Sequence, residues 1–94
     1  MSAEHRRLEA IVHGYVQGVG FRWATRDVAR RLNLRGYVRN RWDRTVEVVA
    51  EGPERTLREL LSFLEIGPSP ASVDRVDVNW LPSRGEFYGF EVRF

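Results

Sequence analysis

The apolar residues of this chain change period in a fixed order, and that order constrains the fold more than any other feature. Leu8, Ala10 and Val12 fall on one face of an extended run, with Ile11 on the other. Period two is the spacing of a strand. From about Phe21 to Leu34 the recurrence lengthens to three or four residues, through Phe21, Ala24 or Thr25, Val28 and Leu32. Arg26, Asp27, Arg30 and Arg31 fall largely on the opposite side, as on a helix packed along one stripe. Period two then returns twice, over 37–39 and 45–51, around a polar turn at 41–44. In the second of these runs Val46, Val48 and Ala50 alternate with Glu47 and Glu51.

Gly52-Pro53 closes that run and opens a second helix, with Glu54 in its first turn. Proline suits the first helical position and an acid suits the positive helix end. Leu57, Leu60, Leu61 and Leu64 supply its apolar stripe, and Gly67-Pro68 stops it. Val76, Val78 and Trp80 predict a fourth strand; Tyr88, Phe90, Val92 and Phe94 predict a short terminal one. The order is β-α-β-β-α-β with one additional strand. This is an α+β, ferredoxin-like split βαβ sandwich, with an antiparallel sheet carrying both helices on one face. Ninety-four residues make a single domain, expected over 1–94. Such a fold hosts many unrelated activities, so function must be read from particular residues.

Composition removes whole classes of chemistry. There is no Cys, so thiolate metal sites, iron–sulfur clusters, disulfide frameworks and cysteine nucleophiles are excluded. His5 and His13 are the only imidazoles, too few for a histidine-rich metal centre, and no metal or organic cofactor is expected. No apolar run approaches the roughly 18–20 residues of a membrane span, and residues 1–7 lack the apolar core of a signal peptide. A cytoplasmic protein without a membrane partner is therefore expected. All 15 cationic side chains are Arg, against 13 acids, for a net charge of +2. The sequence pI of 9.7 reflects how late Arg titrates. The arginines are interspersed with acids rather than clustered, unlike a polyanion-binding surface, so no nucleic-acid partner is expected. Apart from Arg22 and Arg44, discussed below, the arginines are expected to be solvated surface charges.

Two segments carry chemistry. Gly14-Tyr15-Val16-Gln17-Gly18-Val19-Gly20-Phe21-Arg22 joins the first strand to the first helix. Successive backbone N–H groups of a glycine-rich turn can converge on an anion, and the helix N-terminus adds its positive end. Arg22 brings a planar, permanently charged fork suited to phosphate or carboxylate. The other reading is an ordinary glycine-rich connection with a solvated Arg. Asn40 ends the second predicted strand; asparagine there is often only a turn residue. In a split βαβ fold the first and third strands are central neighbours, so the start of the first helix and the end of the second strand can meet. His13 is expected to serve as a strand residue, and Tyr15, Trp23 and Trp42 as packed or partly exposed aromatics.

The stretch Gly14-x-Val16-Gln17-Gly18-Val19-Gly20-Phe21-Arg22, with Gly36-Tyr37-Val38-x-Asn40-x-x-Asp43-x-Thr45-Val46-Glu47, resembles both signatures of the acylphosphatases. Every specified position of the first is present. The second departs at one, where Arg44 stands in place of the usual Gly. The resemblance implies hydrolysis of a small-molecule acyl phosphate to a carboxylate and inorganic phosphate, with neither metal nor cofactor. By position it implies Arg22 and Asn40 as the catalytic residues. Phosphate would be bound by Arg22 and the backbone of Gln17, Gly18, Val19, Gly20 and Phe21, a cradle that would also take inorganic phosphate or another anion. Asn40 would orient the attacking water. A monomer is the default expectation. If the turn keeps a left-handed backbone at 44, Arg44 carries a strain of roughly 1–2 kcal/mol.

Two rivals share the element order. An RNA-recognition domain needs aromatics on its third strand, and 45–51 has none. A non-catalytic domain, or one related to a larger carbamoyl-transfer enzyme, is disfavoured by the retention of Arg22 and Asn40 and by the lack of a further domain.

Overall fold

The computed structural model describes residues 4–94; the first three residues of the expected domain lie outside the described residues. The elements are β1 (His5–Tyr15), α1 (Phe21–Arg31), β2 (Arg35–Asn40), β3 (Val46–Pro53), α2 (Glu54–Leu64), β4 (Ser72–Pro82) and β5 (Phe90–Arg93). They form one five-stranded sheet in the order β4-β1-β3-β2-β5. The inward residues Leu8, Ala10, Val12, Val38, Val46, Val48 and Ala50 pack against Phe21, Ala29, Leu57, Leu60 and Leu64 from the two helices. This is the ferredoxin-like architecture that the alternation of periods predicts.

Three features depart from the sequence expectation. First, the sheet is mixed rather than antiparallel: β5 pairs parallel with β2, Gly36 opposite Phe90 and Arg39 opposite Arg93. The cause is the route of the chain, since β4 and β5 lie on opposite edges and the segment between them must cross the open face. It enters the far edge running the same way as β2. Second, α1 stops at Arg31 rather than near Leu34. Asn33 adopts φ 57°, and the Leu34 N–H donates to the Ala29 carbonyl at 2.9 Å. Asparagine takes the left-handed position usual for a helix-ending glycine, and Leu34 becomes buried outside the helix.

Third, Arg7 is not a solvated surface charge but is buried with Glu51. They are 6% and 5% exposed, on the face away from the helices, where the crossing segment covers them. Arg7 Nη1 donates to Glu51 Oε2 at 3.0 Å and also meets Glu86, while its Nε donates to Glu9 at 2.8 Å. Glu51 in turn accepts from the Ser83 hydroxyl at 2.9 Å and from the backbone N–H groups of Arg84 at 3.0 Å and Gly85 at 2.9 Å. Phe87 stacks edge-on against Tyr37 of β2 at 5.9 Å. The crossing segment is thus a strap pinned to three successive strands, and β5 is delivered to its edge by a buried ion pair.

Candidate active site

At one end of the sheet the connection from β1 to α1 faces the end of β2, because β1 and β2 both border β3. Asn40 pairs with Val46 of β3, and Val12 of β1 pairs with the same residue. The two segments singled out in the sequence therefore meet across one strand. Val16, Gly18, Gly20, Phe21, Arg22, Trp23 and Asn40 line a concavity of ≈160 Å³ between them.

The loop owes its shape to two glycines. Gly18 and Gly20 adopt φ 75° and 77°, left-handed conformations that cost an L side chain roughly 1–2 kcal/mol each. No atom lies within 4 Å of a Cβ built on either, so the requirement is conformational and the space above them is open. Gly20 is also the N-cap of α1, with no side-chain cap and no acid in the first turn. The positive helix end therefore faces the concavity without a resident counter-charge.

Arg22 sits in that same first turn, where a cation opposes the helix dipole by roughly 0.3–1 kcal/mol. It makes no ion pair among the described residues, whereas Arg6, Arg7, Arg26, Arg39, Arg41, Arg58 and Arg75 do. Its guanidinium lies over the Phe94 ring, 4.8 Å from the centroid. A cation set against its helix dipole and without a carboxylate partner is open to an external anion. Asn40 has the complementary anomaly: its Oδ1 is buried with no hydrogen-bond partner among the described residues. Leaving such an atom unsatisfied costs roughly 1–3 kcal/mol.

The remaining expected residues divide. Phe21 contributes backbone, since its ring is buried in the core and packs on Phe63 at 6.2 Å. Val19 also packs against the core and does not line the concavity. The Gln17 side chain points away from the concavity, its Nε2 donating to the carbonyl oxygens of Arg41 at 2.9 Å and Thr45 at 3.0 Å. Nothing in the spacing of the glycines signals that bracing role; only the fold puts the 41–45 turn within reach.

That turn is tightly made. Arg41 N–H donates to the Thr45 carbonyl at 2.9 Å, and Arg44 N–H to the Arg41 carbonyl at 3.2 Å. Thr45 donates from its hydroxyl (2.6 Å) and its backbone N–H (3.2 Å) to Asp43 Oδ1. The Thr45 hydroxyl and N–H hold the Asp43 carboxyl below its usual range. Arg44 lies at φ 70°, so the turn keeps the left-handed geometry despite losing the glycine. His13 bonds Asp77 of β4 at 2.8 Å and does not line the concavity. Tyr15, Trp23 and Trp42 are 65%, 45% and 90% exposed, and of these Trp23 alone borders it.

Comparison with known proteins gives the family and the fold. The family described as Acylphosphatase matches residues 8–92. An acylphosphatase of Nocardia farcinica is 51% identical over 87 residues, 93% of this chain and 87% of that one. Among solved structures, an acylphosphatase from Bacillus subtilis superposes with a TM-score of 0.91 at 34% identity, covering 95% of this chain and 99% of that one. HypF of T. kodakarensis, at 35% identity and a TM-score of 0.75, aligns with all of this chain over 12% of its own.

Proposed function

The chain belongs to the acylphosphatase family, enzymes that hydrolyse acyl phosphates, and from that premise we propose how its own residues perform the reaction. The observation that carries the reading is the shared concavity of Arg22, Asn40 and the Gly18–Gly20 loop. Backbone N–H groups of 17–21 and the Arg22 fork receive the three phosphoryl oxygens. The buried Asn40 amide holds a water in line with the bond to be broken. The water oxygen bonds to phosphorus as the bridging P–O bond breaks; the acyl group leaves as a carboxylate, and both protons of the water end on the phosphate product.

So sparse a set of groups is sufficient for this chemistry. The leaving carboxylate has a conjugate acid of pKa about 4, so it departs without a general acid. Phosphoryl transfer requires little covalent participation from a protein; alignment and charge stabilisation supply most of the rate. No imidazole is needed. We therefore assign no metal or cofactor to the reaction, and take inorganic phosphate as a product that competes for the cradle.

The decisive experiment is hydrolysis of acetyl phosphate and benzoyl phosphate in EDTA. Turnover well above the spontaneous rate is expected. Hydrolysis no faster than in buffer alone would refute the reading.

A further inference from the structure

Beside the concavity stands an aromatic pair that the phosphoryl chemistry does not use. Trp23, in the first turn of α1, and Phe94, at the chain end, have ring centroids 6.1 Å apart at 55°. Phe94 is 91% exposed and Trp23 45%. The pair is framed by cations: the Arg22 guanidinium lies 4.8 Å from the Phe94 centroid, and that of Arg26 lies 4.9 Å from Trp23. Arg26 is already neutralised by Asp27 through two donors at 3.1 and 2.9 Å. Arg22 has no such partner among the described residues, so the stack ends on a cation free for an anionic ligand.

The geometry points to Trp23 and Phe94 as an acyl-group subsite that favours flat, apolar acyl phosphates, of which benzoyl phosphate is the simplest. The inference rests on the reading of Arg22 as the phosphoryl-binding cation. In an acyl phosphate the acyl carbon is joined to phosphorus through a single bridging oxygen. A phosphoryl group held by Arg22 therefore carries its acyl substituent into the space next to the ring on which Arg22 rests. The exposed parts of these two rings are better covered by a ring than by a methyl group, because aromatic pairs gain from edge and offset contacts as well as from buried area. The concavity itself is lined by Gly18, Gly20, Arg22 and Asn40 with Val16, Phe21 and Trp23, and the Phe21 ring is buried in the core, so discrimination between acyl groups falls to the exposed pair.

The test compares kcat/KM for benzoyl and acetyl phosphate in the wild type, Trp23→Ala and Phe94→Ala. The benzoyl-to-acetyl ratio is expected to fall roughly 3- to 10-fold in each variant. Both side chains lie largely outside the core, so the variants fold; circular dichroism checks this. A ratio unchanged within twofold overturns the subsite, as does an equal loss on both substrates, which would mean that the rings act only through Arg22. Binding separates this from the catalytic reading. The wild type is expected to bind benzyl phosphonate more tightly than methyl phosphonate, a preference lost in Phe94→Ala. Absence of that preference overturns the subsite, whereas its presence in a protein without turnover upholds the subsite and refutes the hydrolytic reading.

Discussion

Gln17 Nε2 donates to the carbonyl oxygen of Arg41 at 2.9 Å, and this one bond ties the glycine-rich loop to the turn that follows Asn40. The same nitrogen reaches the Thr45 carbonyl at 3.0 Å, so both ends of the turn hang from a single side chain. The two halves of the site, already brought together by the shared strand β3, are thus braced by an amide that hydrogen-bonds the turn beyond Asn40.

Gln17→Ala tests that coupling. Both carbonyls keep a second donor, Arg41 N–H on Thr45 and Arg44 N–H on Arg41, so the stability cost is expected to be only about 1 kcal/mol. The effect on alignment is larger, because displacing a positioned nucleophile by a fraction of an ångström is costly. Turnover of acetyl phosphate should fall about tenfold or more, with KM changing much less. A merely structural role would lower stability and leave kcat of the folded fraction at the wild-type value.

Arg44→Gly removes a known strain. At φ 70° a non-glycine residue costs roughly 1–2 kcal/mol, from which the greater freedom of glycine in the unfolded chain subtracts about 0.5–1 kcal/mol. A net gain of about 0.5–1 kcal/mol is expected, a rise in Tm of a few degrees for a domain of this size. Urea or thermal unfolding reads it directly. Equal or lower stability of the variant would show that Arg44 makes compensating contacts.

How much of this was legible in the sequence follows from what each residue depends on. Leu8, Ala10 and Val12 announce their strand because burial on one face imposes period two locally, and the Leu57–Leu64 stripe does the same at helical spacing. Arg22 and Asn40 are legible through motifs whose residues lie close along the chain. The expectation of a solvated Arg7 fails because its burial with Glu51 depends on a strap some 30 residues beyond Glu51, supplied by 83–87; alternation marks a side chain as facing away from one core, not as facing water. The Gln17 brace and the parallel β5 likewise depend on contacts distant in sequence, which no local period encodes.

The strap makes stability depend on acid. Burial works against the Glu51 charge, yet the N–H groups of Arg84 and Gly85, the Ser83 hydroxyl and Arg7 together hold its carboxyl below the usual value. Folding therefore favours the ionised form. That contribution is complete above the unfolded carboxyl pKa of about 4.3 and is lost as pH falls through the lower folded value. Glu51→Gln should lose roughly 3 kcal/mol at pH 7, near the lower end for a broken buried pair because Arg7 keeps Glu9 and Glu86. The gap between variant and wild type in urea unfolding should then narrow below about pH 4. A gap that stayed constant to pH 2.5 would show that Glu51 is not the titrating group.

Arg22 and Asn40 should separate binding from turnover. Arg22 faces the phosphoryl charge in ground and transition states alike, so Arg22→Ala should lose phosphate affinity together with rate. Asn40 acts on the water, so Asn40→Ala should lower kcat by about 10²–10³, the usual cost of removing one positioned polar group, while phosphate still binds. Phosphate binding is measurable without turnover, because a ligand selective for the folded state raises Tm: at a hundred times Kd it adds about 2.7 kcal/mol. Wild type and Asn40→Ala should both show that rise in phosphate, and Arg22→Ala should not. If Asn40→Ala lost the phosphate-induced rise as well, the asparagine would belong to the cradle rather than to the water. If Arg22→Ala kept it, the backbone N–H groups of the Gly18–Gly20 loop would suffice for the anion, and the guanidinium would act only on the charge that develops during transfer.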